Sequence, residues 1–188
     1  TAKLEDEPIE HLRLDFEDGY GPRPDEQEDA DAITAARTLS AAVTAGTAPP
    51  FVGIRFKCLE APTRRRGLRT LDLFLTALLE AGGLPDGLRL TLPKVSTTSQ
   101  VEVMVAACAV FESRAGLGTG TLGFEIQVET PPLILGRDGR AEVAPALHAG
   151  AGRVTGLHYG TYDYSASLEV AAEQQSMAHP AADHAKQV

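Results

Sequence analysis

Two carboxylates stand near the ends of successive apolar, β-rich runs of this chain. Glu129 lies near the end of the stretch Leu122–Thr130, and Asp163 lies near the end of the stretch Val154–Tyr164. An acidic side chain at the tip of a buried strand is costly unless a cation compensates it, and Mg²⁺ prefers carboxylate oxygens as ligands. The pair could therefore form half of the ligand shell of a metal-assisted enzyme, although two solvated loop acids would fit the same pattern.

Further charged residues follow the other strand-like runs. The first run leads into the acidic turn Asp15–Gly19, the second ends near Arg55, and the third is followed by Lys94. In parallel α/β folds the functional residues gather at the carboxyl ends of the strands. This placement favours a functional face over an ordinary charged surface.

The elements that must position these residues alternate along the chain. Strand–helix alternation with short loops predicts parallel strands joined by right-handed crossovers. The predicted strands are His11–Phe16, Phe51–Phe56, Leu88–Leu92, Leu122–Val128 and Arg153–Tyr159. The predicted helices are Asp25–Thr44, Gly67–Ala81, Thr98–Ser113, Ala141–Ala149 and Ser165–Met177.

The predicted fold class is α/β, a (β/α)8 TIM barrel, here a partial barrel of about five β/α units. A complete barrel needs roughly 250 residues, whereas this chain has 188. An open doubly wound sheet is the alternative, but its glycine-rich phosphate turn is matched only weakly by Asp18–Gly21. We expect residues 1–188 to form a single, partial barrel domain, and the abrupt ends suggest a piece of a longer protein.

The composition argues against several classes of partner. The net charge of −9 disfavours a nucleic acid or an anionic membrane surface, and no apolar run is long enough to span a bilayer. The two cysteines, Cys58 and Cys108, show no CxxC spacing and follow no signal peptide. We therefore expect a reducing, cytoplasmic compartment.

The ordered set of strand-end blocks resembles the HpcH/HpaI aldolase/citrate lyase (β-subunit-like) family. That family belongs to the pyruvate/phosphoenolpyruvate-binding superfamily of TIM barrels, and the resemblance covers most of the chain. The blocks are RLDFEDGYG (13–21), GIRFK (53–57), TLPKV (91–95), FEIQVETP (124–131) and GLHYGTYDYSA (156–166).

The resemblance implies a metal site and an anion-binding group. Glu129 and Asp163 match the family's ligands for Mg²⁺, a role that Mn²⁺ could also fill. Arg55 matches the strand-end arginine that contacts the carboxylate or enolate oxygen of the substrate. An always-charged guanidinium suits a bidentate contact of this kind.

The resemblance also implies roles for five further positions. Glu17 and Asp18 match an acidic pair near the metal's water ligands, and Lys94 matches a lysine that supports those acids, so these three residues are counted with Arg55 as catalytic. Thr130 and Gly160 are counted as substrate-binding residues beside Arg55.

The function implied is that of a Mg²⁺-dependent carbon–carbon lyase. It would cleave a 2-oxo or 3-hydroxy acid, or its coenzyme A ester, by a retro-aldol or retro-Claisen reaction through a metal-stabilised enolate. The parent protein is expected to be a homo-oligomer. The proton-transfer group is the weak point, because His158, on the last strand, is more readily interpreted as a hydrogen-bonded core histidine.

Two alternatives remain open at the level of sequence. One is a phosphotransfer enzyme on the phosphoenolpyruvate/pyruvate scaffold, for which Arg64–Arg66 would be the only candidate phosphate-binding group. The other is a catalytically inactive fragment with a binding or structural role, because five strands cannot close an eight-stranded barrel.

Overall fold

A computed structural model of the protein describes residues 2–188, and within them strands and helices alternate. The strands are β1 (His11–Asp15), β2 (Phe51–Arg55), β3 (Leu88–Leu92), β4 (Phe124–Val128) and β5 (Val154–Tyr159). The helices are α1 (Ala2–Asp6), α2 (Asp25–Thr44), α3 (Arg64–Ala81), α4 (Thr98–Ala115), α5 (Pro131–Ile134), α6 (Val143–Ala149), α7 (Thr161–Ser167) and α8 (Pro180–Gln187), with a short 3₁₀ helix at Ala172–Gln174.

The described strands form one sheet in the order β1-β2-β3-β4-β5. The pairs β1–β2, β2–β3 and β4–β5 are parallel. Parallel strands in sequence order require a crossover after each strand, which the intervening helices and loops supply. The predicted α/β class with parallel strands is confirmed.

The backbone divides into two compact units. Unit 1 comprises Thr1–Lys57 and Ala61–Thr91, and unit 2 comprises Cys58–Glu60 and Leu92–Val188. The prediction of a single domain stays a prediction.

Unit 1 has a core that takes most of its buried side chains from β2, α2 and α3. The two helices pack against each other, and α3 buries one face because its apolar residues recur at helical spacing. The buried side chains of this core include Ala32, Ala36, Leu39, Val52, Ile54, Phe56, Leu71, Phe74, Leu75 and Leu78.

Unit 2 is organised around β4, β5 and the long helix α4. Thr97 and Gln100 form a capping box at the start of α4, where the Gln100 side chain accepts a hydrogen bond from the Thr97 backbone N–H at 3.1 Å. Gly116, in the left-handed conformation with φ 68°, ends the helix. These local signals agree with the predicted start of the helix at Thr98.

One predicted strand boundary is wrong for an identifiable reason. The fourth strand was expected to begin at Leu122, but β4 begins at Phe124. The backbone N–H of Leu122 instead donates to the carboxylate of Glu112 at 2.7 Å. A side chain of α4 therefore replaces a neighbouring strand as the partner of this donor.

The predicted helix Ser165–Met177 is also wrong. The structure has α7 at Thr161–Ser167, which starts earlier and is much shorter. Glu169 adopts φ 59°, a left-handed conformation that ends a right-handed helix, and the Val170 N–H turns back to the Ser165 carbonyl at 3.1 Å. The apolar spacing beyond this point is therefore not helical periodicity.

None of the helices in the described part of the chain is long and apolar enough to cross a membrane.

Candidate active site

A buried carboxylate lies at the carboxyl end of β4. Glu129 follows the strand directly and is only 1% exposed. One of its carboxylate oxygens accepts a hydrogen bond from the backbone N–H of Lys94 at 2.7 Å, and the other accepts one from the amide of Gln127. These contacts fix the orientation of the carboxylate, so the alternative of a solvated loop acid does not apply to Glu129.

Gly160, directly after β5, makes room for this carboxylate. A Cβ atom at position 160 would lie 2.5 Å from Oε2 and 2.7 Å from Cβ of Glu129. The backbone of Gly160 has φ −95°, which other residues adopt readily, so the requirement for glycine here is steric. The predicted contact of Gly160 with substrate stays a prediction; its contact with Glu129 is a sufficient structural reason for the glycine.

Asp163 comes from a different element than the sequence indicated. It lies in the first turn of α7 rather than on the end of β5, where the helix dipole favours a negative charge. Its carboxyl is a neighbour of Glu129 and contributes to the raised pKa of that glutamate. Since the Asp163 side chain is 39% exposed, the pair has a buried inner member and an accessible outer member.

The surroundings of Glu129 disfavour its negative charge. Burial raises the pKa of Glu129, and the neighbouring carboxyl of Asp163 raises it further; the Gln127 amide and the backbone N–H and charge of Lys94 lower it without cancelling the effect. Two neighbouring carboxylates repel each other, so either one of them holds a proton or a cation beside them lets both stay ionised.

Lys94 contacts both acids through different groups. Its backbone N–H donates to Glu129, and its Nζ donates to Oδ2 of Asp163 at 2.7 Å. The residue adopts φ 51°, a left-handed conformation that is uncommon for lysine. Such strain persists where surrounding contacts over-determine it, which is frequent at functional sites.

This set of groups fits a hard divalent cation such as Mg²⁺ or Mn²⁺. Glu129 and Asp163 offer oxygen donors from two successive β/α segments, and the inner donor is held by two hydrogen bonds. Mg²⁺ is commonly bound by one or two carboxylates, with water or substrate oxygens completing the shell. The raised pKa of Glu129 identifies the place in unit 2 where a cation would relieve an electrostatic cost.

Thr130 lies beside this cluster but directs its hydroxyl elsewhere. The Thr130 hydroxyl donates to the backbone carbonyl of Val95, and the residue occupies the N-cap position of α5 without a side-chain capping bond. This bond ties the end of β4 to the segment after β3. A contact between Thr130 and substrate stays a prediction.

A second cluster, in unit 1, centres on Arg55 at the end of β2. Its Nε and Nη2 donate to the two carboxylate oxygens of Asp15 at 2.7 and 2.5 Å. Asp15 and Arg55 are register partners in the β1–β2 pair, so the fork-to-fork geometry follows from the strand alignment. Burial alone would raise the pKa of Asp15, but Arg55 and the N–H groups of Glu17 and Gly19 bring it below its ordinary value.

Glu17 and Asp18 form the loop beside this ion pair. A carboxylate oxygen of Glu17 lies 3.8 Å from Nη1 of Arg55, and the backbone N–H of Asp18 donates to the same Glu17 oxygen at 3.1 Å. Asp18 itself is exposed. The hydrogen bonds of Asp15 hold Arg55 by its Nε and Nη2, which gives the guanidinium a fixed orientation.

The ion pair of Lys57 and Glu28 supports the same loop. Glu28, 1% exposed, accepts from Nζ of Lys57 at 2.5 Å and from the Thr70 hydroxyl at 2.6 Å. Nζ of Lys57 also donates to the carbonyl of Phe16 at 2.9 Å, immediately before Glu17. Lys57 therefore anchors the acidic loop to Glu28 of α2, and Glu28 is in turn bonded by Thr70 of α3.

Sequence reasoning missed several members of these clusters. Gln127 precedes Glu129 by two residues and so shares its strand face, a signal that was available from the period of a strand. Asp15 belongs to the predicted acidic turn, but its bond to Arg55 depends on the strand register, which the sequence does not give. Glu28 looked like one more surface acid in an acidic stretch.

Two other sequence expectations change. His158 is exposed on β5, so its interpretation as a hydrogen-bonded core histidine is wrong. Within Arg64–Arg66, Arg66 donates to Asp29 and lies 3.4 Å from a carboxylate oxygen of Glu28. This arginine is engaged with acids of α2, which weakens the case for Arg64–Arg66 as a phosphate-binding group.

The chain belongs to the DUF6986 family, described as a domain of unknown function, which matches residues 1–188. No curated protein matches the chain in sequence.

Solved structures identify the fold. A citrate lyase from Burkholderia xenovorans LB400 has a TM-score of 0.71 at 20% identity, over 98% of this chain and 52% of that chain. The lead(II) complex of Haloferax volcanii malate synthase has a TM-score of 0.66 at 15% identity, over 89% and 46%. The magnesium/glyoxylate complex of the same enzyme has a TM-score of 0.62 at 17% identity, over 85% and 44%.

These similarities confirm the expected fold class. The chain spans about half the length of the solved structures it matches, in agreement with a partial TIM barrel. The resemblance to citrate lyases noted from the strand-end blocks is confirmed at the level of the fold.

Proposed function

We propose that the protein is a Mg²⁺-dependent enzyme that breaks or forms a carbon–carbon bond, with cleavage of a 2-oxo or 3-hydroxy acid, or its coenzyme A ester, as the expected reaction. Retro-aldol and retro-Claisen cleavage share the same requirement, which is stabilisation of the negative charge that develops on the substrate oxygen. The fold is consistent with this class, since citrate lyase and malate synthase structures share it. One of those structures is a complex with magnesium and glyoxylate, a 2-oxo acid.

The observation that carries the proposal is the pair formed by Glu129 and Asp163. Glu129 is buried beside a second carboxyl and its pKa is raised, so its charge costs folding free energy that a bound cation would offset. Glu129 and Asp163 would hold the metal ion. A bound divalent cation supplies fixed positive charge where negative charge develops on a substrate oxygen.

The remaining site residues act by binding and orientation. Arg55 would bind a substrate carboxylate, because Asp15 already holds its guanidinium rigidly and less side-chain entropy is then lost on binding. Glu17 and Asp18 would bind water or substrate hydroxyls near the acidic loop. Gly160 has no side chain to displace the Glu129 carboxylate, so Glu129 can keep the orientation set by its hydrogen bonds.

Calorimetric titration of Mg²⁺ tests the metal site. Wild type and Glu129→Gln are titrated with Mg²⁺, each in the presence and absence of oxaloacetate or pyruvate. Metal binding that is strengthened by the 2-oxo acid in the wild type and lost in Glu129→Gln would support the proposal. Glu102→Gln, an exposed glutamate on α4, is the matched control and should bind as the wild type does.

The same titration separates the parts of the proposal. Equal Mg²⁺ affinity in wild type and Glu129→Gln would refute the metal site. Metal binding without any effect of oxaloacetate or pyruvate would refute the substrate class and leave the metal site standing. An Arg55→Lys variant keeps the charge but cannot make the bidentate contact with Asp15 that orients Arg55. It should reduce the strengthening of Mg²⁺ binding by the 2-oxo acid more than it reduces Mg²⁺ binding itself.

A further inference from the structure

The ammonium group of Lys94 bonds a carboxylate that would also be a ligand of the proposed metal ion. Nζ lies 2.7 Å from Oδ2 of Asp163, and the backbone N–H of the same residue lies 2.7 Å from Oε1 of Glu129. Of these two contacts, the first involves a movable side chain and the second a fixed peptide group. Only the first can be given up without unfolding the loop.

We propose that Lys94 is the resident counter-cation of the Glu129–Asp163 pair and that a divalent cation binds by exchange with it. On binding, the Lys94 ammonium leaves Asp163 and turns to solvent, while its backbone N–H stays on Glu129. This inference rests on the proposed metal site and concerns how that site is filled. It assigns Lys94 a role in metal affinity that differs from direct catalysis.

The exposure of the side chains fits this exchange. The Lys94 side chain is 28% exposed and that of Asp163 is 39% exposed, so the ammonium has a path to solvent and the outer carboxylate is accessible to a hydrated ion. Glu129 is buried and does not need to move. A partly exposed ion pair of this kind is worth only a modest free energy, so a divalent cation can displace it.

The backbone of Lys94 explains why the exchange need not disturb the site. The left-handed conformation at φ 51° points the N–H at Glu129 independently of the side chain. Asparagine tolerates this conformation better than other non-glycine residues do. Lys94→Asn therefore removes the ammonium while it preserves the backbone contact, and Lys94→Arg keeps the charge.

Two measurements on the intact protein test the exchange. In calorimetric titration with Mg²⁺ alone, Lys94→Asn should bind at least about threefold more tightly than wild type, and Lys94→Arg should bind no more tightly. In lysine acylation followed by mass spectrometry, Mg²⁺ should raise the rate of modification at Lys94. Lys186, paired with Asp183 on α8, is the internal reference whose rate should not change.

The outcomes separate the exchange from the metal site itself. If the wild type binds Mg²⁺ but Lys94→Asn binds equally or more weakly, or if Mg²⁺ leaves the reactivity of Lys94 unchanged or lower, the exchange is wrong and the metal site stands. If Lys94→Asn binds Mg²⁺ and the wild type does not, the exchange is supported, because the lysine then outcompetes the ion. If neither protein binds, both proposals fail.

Discussion

Unit 2 contains two acidic clusters at opposite ends of β4 and β5, and they treat their carboxylates in opposite ways. Before the strands begin, Glu112 receives hydrogen bonds from both terminal nitrogens of Arg153 at 2.7 Å and from the N–H groups of Gly120 and Leu122. These bonds hold the pKa of Glu112 down at about 2, despite burial. After the strands end, Glu129 faces a second carboxyl, and its pKa is raised.

The difference shows which cluster exists for stability. Glu112 is satisfied on every side by groups of its own chain, so its charge is compensated without any ligand. Gln127 and Lys94 offset only part of the cost of burying Glu129, so its pKa stays raised, which is the expected state of a carboxylate that binds a cation. In parallel α/β folds, the amino ends of the strands serve stability and the carboxyl ends serve function.

The largest expected effect comes from breaking the compensated cluster. Glu112→Ala would leave the Arg153 guanidinium buried without its partner, and we expect a loss of about 3–5 kcal/mol in the free energy of unfolding. Urea denaturation of the metal-free protein measures it. Glu102→Ala, on the exposed face of the same helix, should change stability by no more than about 0.5 kcal/mol.

The two-cluster interpretation is contradicted if Glu112→Ala costs no more than Glu102→Ala does. A Glu112→Met/Arg153→Met double variant sharpens the test. Because it removes both charges together, it should be less destabilised than Glu112→Ala alone.

The next effect concerns the packing that holds Glu129. Gly160→Ala would place a methyl group where the Glu129 side chain lies, with 2.5 Å to Oε2, and we expect a loss of roughly 1–3 kcal/mol in stability together with weaker Mg²⁺ binding. Gly156→Ala, on β5, is the matched control because an added methyl group there makes no close contact. Its added Cβ would meet Cβ of Glu125 at 3.9 Å, an ordinary contact. Equal effects of the two substitutions on Mg²⁺ affinity would count against the role of Gly160 in holding Glu129.

Much of this arrangement could be predicted from the sequence, and the limits are physical. Helix α2 has the predicted bounds, because its start and stop signals are local. Glu129 and Asp163 were proposed as metal ligands because both follow strand-like runs; the metal role stays a prediction, and Asp163 lies in the first turn of α7. Two sets of contacts were harder to predict. The contact of Lys94 with Glu129 and Asp163 depends on a left-handed backbone, and the Glu112–Arg153 pair joins residues far apart in sequence. Neither has a periodic signal.

A smaller effect, of opposite sign to the first, is expected at the Glu129–Asp163 cluster. Glu129→Gln keeps an oxygen for the Lys94 N–H and removes the disfavoured charge, so the metal-free protein should gain about 0.5–2 kcal/mol of stability while Mg²⁺ binding is lost. Thermal unfolding in the presence of a chelator measures the gain. A less stable Glu129→Gln protein under those conditions would mean that the carboxylate is already compensated by its own chain.

The pH dependence of stability distinguishes the two clusters in one protein. Glu112 has a lowered pKa, so its contribution to stability is complete above the ordinary value of 4.5 and disappears as the pH falls toward about 2. Glu129 has a raised pKa, so its contribution is complete below 4.5 and is lost as the pH rises through the raised value.

Urea unfolding of the metal-free protein, measured from pH 2.5 to 8, tests both signs. The stability advantage of wild type over Glu112→Gln should grow as the pH rises from 2.5 to 4.5 and stay constant above pH 4.5. The gap to Glu129→Gln should open only above pH 4.5, in favour of the variant, and Mg²⁺ should reverse its sign by stabilising the wild type alone. Two gaps that open over the same pH range would show that both carboxylates are compensated alike, and the contrast between the two ends of the strands would then be lost.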